Sequence, residues 1–470
     1  MFSKPIFIVL ISLISIVSCR KDDNILKESG TLKFSKDTVY FDTVFTRLIG
    51  SPYPRSVNKQ FKIRNPYNKT VNINARLMGG LSSSYRINID GATGTVFKEI
   101  EILPKDSAWV FVECTLEPNN LSNPALVRDS IEFETNGNLQ YVQLAAYGWD
   151  AYYFKDTVLA NSNENWVLTN KPYVLVNVVI VDEGKTLTIG PGIHIYSTTN
   201  SFVFDTTGKK NSVNSLNVLG TLKVNGTKSN PVIFQGDRLD NNYANRGGQW
   251  QGVGFFRSST NSTINHAIIK NATVGVRIDS LSNNTNPKLT ITNTIIKNMS
   301  GFGIWGRTGS ILAENTVVNN CEIATFYGQI GGEYSFTHCT FNNASSSGKD
   351  PHFVFSNQLR NDNKVVIKIY PLGVGFTNTI IWGNNETEVG TDLSAPLPVN
   401  AFTNCLIKSK NSFTTNNIFN RNPLFENAGQ SILKLKTGSP AINAGTLTAI
   451  TSDIEEKSRS NPPDIGAYEF

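Results

Sequence analysis

The pattern of hydrophobic and polar positions changes once along the chain. From residue 31 to about 153, apolar and polar residues alternate in short runs such as Thr38–Phe45 and Ala108–Cys114, and turn pairs such as Asn136–Gly137 separate the runs. Alternation with a period of two is typical of strands that bury one face. The region 31–153 is therefore predicted to form an antiparallel β-sandwich of six or seven strands.

The second region is organised by a phrase that returns. It reads Ile-Asn-His-Ala-Ile-Ile-Lys-Asn at 264–271 and Ile-Thr-Asn-Thr-Ile-Ile-Lys-Asn at 291–298, and the first four copies are spaced by 22 to 27 residues. A repeat of this length, with β-branched runs and Asn or Gly turns, predicts a solenoid of strands. Each coil leaves apolar side chains that only the next coil can cover, so the coils must stack.

One position of the phrase is always Asn or His. Because a repeated polar residue at a corner can bond its neighbours and the turn backbone, we expect a structural ladder there rather than a functional site. Its members are His266, Asn293, Asn315, His338, Asn378 and Asn404.

These phrases, together with the runs Gly184–Tyr196 and Leu216–Gly226, resemble the right-handed parallel β-helix of the pectate-lyase-like superfold. The tail, Gly438–Gly445 with Pro463–Phe470, resembles the closing segment of secreted proteins of this kind. The resemblance implies a β-helix over 166–470. Lyases, hydrolases, adhesins and inert spacers share this superfold, so it does not decide an activity.

Two phrases of the first region, Phe61–Pro66 and Asp129–Asn136, resemble the immunoglobulin-like modules of bacterial envelope proteins. That resemblance implies a stalk or spacer. The expected fold class is all-β: an N-terminal antiparallel β-sandwich followed by a right-handed parallel β-helix.

Residues 1–18 have the form of a secretory signal, with Lys4 before an apolar run that is too short to span a bilayer. The junction before Cys19 resembles a bacterial lipobox, which implies cleavage there and acylation of Cys19. The stretch Arg20–Asp23 resembles the tag that directs lipoproteins to the outer face of the outer membrane in one Gram-negative phylum. We therefore expect a lipid-anchored, surface-exposed protein of the outer membrane, with a tether over 19–30.

Composition narrows the function classes. The net charge is +6, but the basic residues are scattered and no dense Lys/Arg block occurs, so a nucleic-acid partner is not expected. Besides Cys19, four cysteines stand singly in strand-like runs: Cys114, Cys321, Cys339 and Cys405. They are expected to be buried free thiols. No CxxC or clustered His suggests zinc.

The strand after each ladder residue offers candidate binding residues. Alternation points Val276, Ile304, Phe326 and Val354 inward. It points two columns outward: Arg277, Trp305, Tyr327 and Phe355, then Asp279, Arg307, Gln329 and Asn357. Flat aromatic rings stack on sugars and Arg forks bind acidic groups. The glycan-binding candidates are Arg277, Asp279, Trp305, Arg307, Tyr327 and Gln329.

Catalysis has less support. A glycoside hydrolase needs two carboxylates across the scissile bond, and the outward columns offer only Asp279. A polysaccharide lyase needs a base and a cation near the sugar acid. Arg277 or Arg307 would be the base, with Asp237 and Asp240 as weak candidates for calcium ligands; no cofactor is expected otherwise.

Three functions therefore stay open. The leading one is a non-catalytic envelope protein that binds or presents to extracellular polysaccharide through these columns. The alternatives are a polysaccharide lyase that acts on an acidic glycan through the same face, and a structural or adhesive surface spacer. The ligand and the oligomeric state cannot be read from the sequence.

Overall fold

The computed structural model describes residues 24–48, 58–118, 124–199, 202–204, 210–343, 350–411 and 416–470. The predicted signal, Cys19 and Arg20–Asp23 lie outside these residues. The chain divides into two compact units, Met1–Asp150 and Ala151–Phe470. The first is a β-sandwich and the second is a parallel β-helix, which confirms the predicted fold class.

The sandwich consists of two five-stranded sheets, ordered β1-β3-β8-β5-β6 and β2-β10-β9-β4-β7. Its pairs are antiparallel except that β2 runs parallel to β10. The strands are β1 Lys33–Phe34, β2 Thr38–Phe45, β3 Lys59–Arg64, β4 Val71–Leu77, β5 Tyr85–Ile89, β6 Ala92–Gly94, β7 Val96–Ile102, β8 Ser107–Cys114, β9 Ala125–Thr135 and β10 Asn138–Trp149.

Alternation along these strands builds the sandwich core, with Phe61, Val110 and Phe133 almost fully buried between the sheets. The expected tether does not stay free over its described part. Leu26 is buried in this core, and its N–H donates to Thr70 O at 2.8 Å. Residues 24–30 therefore pack on the sandwich.

In the second unit, 25 strands form one parallel sheet that winds around a single core as three stacks. The sheet begins with β11 Tyr152–Leu159, earlier in the chain than the predicted start at Trp166. Four long strands turn a corner and serve two stacks: β11, β13 Tyr173–Val181, β27 Phe302–Glu314 and β29 Ala324–Thr337.

Besides the long strands, each stack has its own members. Stack A contains β18 Ser215–Val218, β21 Gly252–Phe255, β24 Val274–Asp279, β31 Phe353–Ser356 and β36 Val389–Asp392. Stack B contains β12 Asn163–Trp166, β14 Thr186–Ile189, β19 Thr221–Asn225, β22 Ser262–Asn265, β25 Leu289–Thr292, β34 Leu372–Thr377 and β37 Phe402–Thr403. Stack C contains β15 His194–Ser197, β20 Val232–Gly236, β23 Ala267–Lys270, β26 Ile295–Met299, β28 Val317–Cys321, β30 Thr340–Asn343, β35 Ile380–Gly383, β38 Leu406–Ile407 and β39 Ile418–Phe419.

Short hairpins leave the solenoid. They are β16 Phe202–Phe204 with β17 Lys210–Ser212, β32 Gln358–Arg360 with β33 Val366–Ile369, and β40 Phe425–Asn427 with β41 Ile432–Leu435. Two 3-10 helices, Gly80–Ser82 and Ala428–Gln430, are also present. None of the helices in the described part of the chain has the length and apolarity that crossing a bilayer requires.

The inward side chains of the three stacks form one continuous core. Phenylalanine rings fill its later coils: Phe353 lies 4.9 Å from Phe326 and 5.1 Å from Phe376 between ring centroids. Stack A comes close to stack C at Gly303, where an added Cβ would lie 2.3 Å from the side chain of Val318. Only glycine fits at such a crossing.

The C-terminal segment, residues 421–470, covers the outside of stack C. Outward aliphatic side chains of that stack form a second small core with residues of the segment. The stack contributes Val317, Ile380 and Leu406, and the segment contributes Phe425, Leu433, Leu435, Ala441, Ile454, Ile465 and Ala467. The solenoid is thus covered along one face.

Candidate functional site

The parallel register brings the predicted glycan-binding residues into two adjacent columns on stack A. Arg277 pairs with Trp305, and Trp305 pairs with Tyr327. Asp279 pairs with Arg307, and Arg307 pairs with Gln329. We call these six residues, together with Phe302, the stack A face.

The inward positions of these rungs, Val276, Ile304 and Phe326, are fully buried. The expected fourth rung is wrong by one residue. Phe353 pairs with Phe326, so Val354 rather than Phe355 follows Tyr327 outward, and Phe355 is buried in the core. The second column correspondingly continues to Ser356 and not to Asn357. A phenylalanine at an inward position explains the shift, since its burial outweighs that of valine.

Phe302 links the two predicted aromatic platforms. Its ring stacks on Trp305, with centroids 5.2 Å apart and planes 28° apart, and on Tyr327, at 5.5 Å and 24°. Two consecutive buried residues, Gly303 and Ile304, shift the alternation so that Phe302 and Trp305 both lie outside. Sequence reasoning missed Phe302, although the Gly-Ile pair that shifts the phase is visible in the sequence. The result is a half-buried patch of three aromatic rings.

Arg277 is held in place by Asp279 and by the aromatic rings of Trp305 and Phe256. Its guanidinium donates two hydrogen bonds to the Asp279 carboxylate, at 2.8 and 3.2 Å, and its Cζ lies 4.9 Å from the Trp305 ring centroid. The side chains of Arg277 and Asp279 are 34% and 23% exposed, respectively. A paired, stacked guanidinium is a poor proton acceptor and the paired carboxylate is a poor nucleophile, so this pair acts as a rigid rim of the patch.

The remaining residues of the face are less constrained. The indole N–H of Trp305 donates to Gln329 Oε1 at 3.3 Å. Arg307 is exposed and makes no ion pair with any residue that the structure describes. Burial, and then the charge of Asp392, raise the pKa of Tyr327, which stays a neutral donor at physiological pH. Arg307 is therefore the free cation of the face.

A buried lysine supports the face from behind. Lys288 is fully buried, and its ammonium shares its three N–H groups among four oxygen atoms at 2.8–3.1 Å: the carbonyl oxygens of Phe256, Arg257 and Asp279, and Ser280 Oγ. Burial lowers the pKa of Lys288 to about 8, and the charge of Asp279 opposes that shift. The lysine ties the Arg277 rung to the preceding coil. Nothing in its short sequence context, Asn-Pro-Lys-Leu, distinguishes it from a surface lysine.

The six ladder residues lie at the corner between stacks B and C, and each adopts a left-handed backbone, with φ between 46° and 52°. Asn and His tolerate this conformation better than branched residues. Asn315 donates to Asn293 Oδ1 at 3.1 Å, and Asn378 lies 3.0 Å from His338 Nε2. Neighbouring ladder residues thus contact each other in these two pairs, but the contacts do not run through all six residues.

Many other partners of the ladder come from the C-terminal segment. Asn378 donates to Thr446 O at 2.7 Å and accepts from Thr446 N–H at 2.8 Å. Asn315 donates to Ser452 O at 2.9 Å and accepts from Arg459 at 2.7 Å. The ladder therefore serves as a docking edge for this segment, and these partners are distant in sequence.

A second set of asparagines, which sequence reasoning missed, marks the opposite end of stack C. Asn320 donates to Asn298 Oδ1 at 3.3 Å, and Asn343 exchanges hydrogen bonds with the backbone of Cys321. Asn271 donates to Arg246 O at 3.0 Å. The signal was present, because each of the first four copies of the repeated phrase ends on Asn.

The cysteines behave as small apolar residues. Cys114, Cys321, Cys339 and Cys405 are buried and free. Cys339 and Cys405 follow a ladder residue, and each thiol lies 3.4 Å from the carbonyl oxygen two residues earlier. Thr379 makes the same contact at 3.0 Å. Burial raises the pKa of Cys339 and of Cys405 to about 12, so both stay protonated thiols.

The two predicted calcium ligands, Asp237 and Asp240, each accept a hydrogen bond from another residue. Asp240 accepts a hydrogen bond from Arg238 at 3.0 Å, and Asp237 accepts one from Thr199 N–H at 3.1 Å. Among the residues that the structure describes, no three His, Cys, Asp or Glu side chains gather where they could hold a metal ion.

Comparison with known proteins adds little. No protein-family model matches the chain, and no curated protein matches it. Matching solved structures include the E. coli chaperone DraB, with 7% identity over 26% of this chain and a TM-score of 0.18. They also include PapD-like domain 7 of human CEP192, with 11% identity over 26% of this chain and a TM-score of 0.18.

A third structure is a family 123 glycoside hydrolase from Clostridium perfringens, with 9% identity over 29% of this chain and a TM-score of 0.19. The matches span 57% of the DraB chain, 88% of the CEP192 domain and 30% of the hydrolase. Similarity at this level supports no conclusion about function.

Proposed function

We propose that the β-helix binds extracellular polysaccharide through the stack A face, without catalysis. The observation that carries the proposal is the partly exposed patch of Phe302, Trp305 and Tyr327, which is bordered by a fixed Arg277–Asp279 pair and by the free Arg307. Aromatic faces of this kind stack on sugar rings, and the flanking polar groups select among them.

The same geometry is unfavourable for hydrolysis. Asp279, the carboxylate of the predicted columns, already accepts two hydrogen bonds from Arg277. Hydrolysis of a glycoside would need a second carboxylate about 5 to 10 Å away across the bond. A lyase acting through Arg307 is the competing function, and its unsaturated products are easy to detect.

The location of the protein and the types of its two domains are also proposals. We infer a lipoprotein that is anchored by acylated Cys19 on the outer face of the outer membrane, with an immunoglobulin-like sandwich and a right-handed, pectate-lyase-like β-helix. The left-handed corner asparagines and the parallel β2–β10 pair agree with those two types. Proteolysis of intact cells tests the location, since protection until the membrane is broken would contradict surface exposure.

A glycan array tests the binding. Protein that begins at Asn24 should bind one class of polysaccharide, and Trp305→Ala/Tyr327→Ala should bind it at least about tenfold more weakly, because two stacking surfaces are lost. Tyr40→Ala/Tyr147→Ala is the matched control, since these two rings form an exposed pair on the sandwich.

Three outcomes of the array would contradict or replace the proposal. Equal binding by the stack A variant and the wild type would contradict the proposal. Unsaturated products released from an acidic glycan would replace it with the lyase. Failure of every glycan to bind would leave a spacer or adhesin.

A further inference from the structure

One hairpin carries its aliphatic side chains on the outside. It consists of β32 and β33, and it leaves the solenoid between β31 of stack A and β34 of stack B. All four residues of β33, Val366–Ile369, are exposed, and Val365, Ile367 and Ile369 are 55–59% exposed. Elsewhere in the described part of the chain, at most two exposed large aliphatic residues are neighbours in the sequence. Such a concentration marks a contact surface.

The hairpin is held in a defined conformation. The Arg360 guanidinium donates to the Asp392 carboxylate at 2.8 and 3.1 Å and to Lys364 O at 2.9 Å. Asn361 closes the turn, because its N–H donates to Val365 O and its Oδ1 accepts from Val365 N–H, both at 3.0 Å. The exposed aliphatic side chains therefore stand on an ordered element.

Two features of β33 oppose its pairing with a further strand. Its register with β32 shifts between Leu359 and Arg360, and Lys368 stands among its aliphatic residues. Irregular pairing and lysines are features by which edge strands avoid other strands. Because successive side chains of a strand point to opposite sides, β33 exposes aliphatic groups on both sides. A fluid apolar phase can surround both sides, whereas one flat protein surface covers only one.

The charges of the hairpin favour an anionic partner. It has three basic residues and one acidic residue: Arg360, Lys364, Lys368 and Asp362. Arg360 is paired with Asp392, but Lys364 and Lys368 form no ion pair with any residue that the structure describes. The Lys368 ammonium lies 4.8 Å from the Tyr370 ring centroid. Exposed aliphatic groups bordered by unpaired lysines and a tyrosine match the interface of a bilayer with anionic headgroups.

We propose that β33 is a membrane contact of the β-helix and lies on a lipid bilayer that contains anionic headgroups. Its aliphatic side chains enter the boundary between headgroups and acyl chains, and Lys364 and Lys368 bind headgroup phosphates. The polar turn at 361–364 stays in the headgroup layer. A contact of this size binds about as weakly as a single acyl chain, with an association constant of about 10⁴ M⁻¹. It depends neither on the stack A face nor on acylation of Cys19.

Sedimentation with vesicles tests the contact on protein that begins at Asn24 and so lacks Cys19. The probes are vesicles of phosphatidylcholine alone and of phosphatidylcholine mixed with phosphatidylglycerol. We expect binding to the mixed vesicles that rises with lipid concentration and weakens as salt screens the lysines. Lys364→Gln/Lys368→Gln should lose most of the preference for the mixed vesicles.

The aliphatic residues are tested by a triple variant. Val365→Ser/Ile367→Ser/Ile369→Ser should bind the mixed vesicles at least about tenfold more weakly, because little apolar area is left to enter the bilayer. Val167→Ser/Leu168→Ser is the matched control, since these residues are 58% and 67% exposed in the same unit, and it should bind as the wild type does. Circular dichroism checks that each variant keeps its fold.

A fluorophore then locates the contact. The native cysteines that this protein keeps are buried: Cys114, Cys321, Cys339 and Cys405. A polarity-sensitive dye can therefore be attached selectively at Ile367→Cys or, as a control, at Leu168→Cys. Mixed vesicles should shift the emission to shorter wavelengths at Ile367→Cys only.

The outcomes are distinct. The proposal is overturned if the wild type does not sediment with the mixed vesicles, or if the triple variant sediments equally well. Self-association of the wild type without vesicles, absent from the triple variant, would overturn it in favour of a second copy that covers β33. Glycan binding does not enter these measurements, so failure of this contact is not mistaken for failure of the stack A face.

Discussion

The outward sides of stacks A and C belong to the same coils but meet different surroundings. On stack A, Trp305 and Tyr327 are partly exposed. On stack C, Val317, Ile380 and Leu406 are at most 2% exposed, because the C-terminal segment packs over them. The repeat thus determines which side chains point into the core. The outward side chains determine whether a face is covered by the C-terminal segment or stays open to a ligand.

The amino-acid sequences of the strands already differ between the two stacks. Stack C carries apolar pairs such as Val317–Val318 and Ile380–Ile381, which are typical of strands buried on both faces. Stack A alternates, as in Ile304–Trp305–Gly306–Arg307. Substitutions on the closed face should therefore change stability, and substitutions on the open face should change binding.

The largest effect is expected where the C-terminal segment docks. Arg459 and Glu469 form a salt bridge at 3.2 Å, with each side chain 3% exposed. Arg459→Ala leaves a buried carboxylate without its cation and should lower the free energy of unfolding by about 3–5 kcal/mol. Urea denaturation measures this.

Two variants check the cause of that loss. Adding Glu469→Gln should recover part of the stability, since it removes the unpaired charge, and exposed Arg421→Ala should cost almost nothing. A single Arg459→Ala variant as stable as the wild type would mean that the segment contributes little to closing stack C.

A smaller, pH-dependent effect is expected at His338 in the ladder. Burial and the charge of Arg459 lower the pKa of His338 to about 3, below the value of about 6.5 in an unfolded chain. Between these values the unfolded chain binds more protons, so the free energy of unfolding falls as the pH drops from 6.5 towards 3.

His338→Asn, which matches other rungs of the ladder, removes this contribution. Urea midpoints at pH 7.5 and pH 4.5 should show a smaller acid loss for the variant than for the wild type. His352, with a pKa lowered to about 4 by burial, has the same sign and remains in both proteins. Equal acid losses would show that His338 is not buried as a neutral ring.

The smallest change in stability is expected on the open face. Trp305→Phe/Tyr327→Phe keeps an aromatic ring at both partly exposed positions and removes little buried apolar area, so it should cost only about 1–2 kcal/mol. Thermal unfolding measures it. A cost as large as that of Arg459→Ala would mean that these rings hold the solenoid together, and the contrast between the two faces would be lost.

The fold was predictable because its signals are local and repeated. Spacing alone placed Val276, Ile304 and Phe326 inside, and the rungs of Arg277, Trp305 and Tyr327 fell in the expected register. Prediction failed at Phe355, where the chain between Asn343 and His352 no longer follows the spacing of earlier coils. Spacing cannot fix a register across such a change.

Long-range contacts were also beyond prediction. In the sequence, Lys288 looks like an ordinary surface residue. The four oxygen atoms that it contacts come together only in the folded chain. The C-terminal segment resembled a closing piece, but its pairing with Asn315 and Asn378 joins residues far apart in the sequence.

The most direct test of the central claim is hydroxyl-radical footprinting with and without the glycan selected on the array. Oxidation of Trp305 and Tyr327, read by mass spectrometry, should fall several-fold in the complex, while the exposed Trp109 of the sandwich should react equally in both. Bound glycan that leaves the reactivity of Trp305 and Tyr327 unchanged would show that the stack A face is not the binding site.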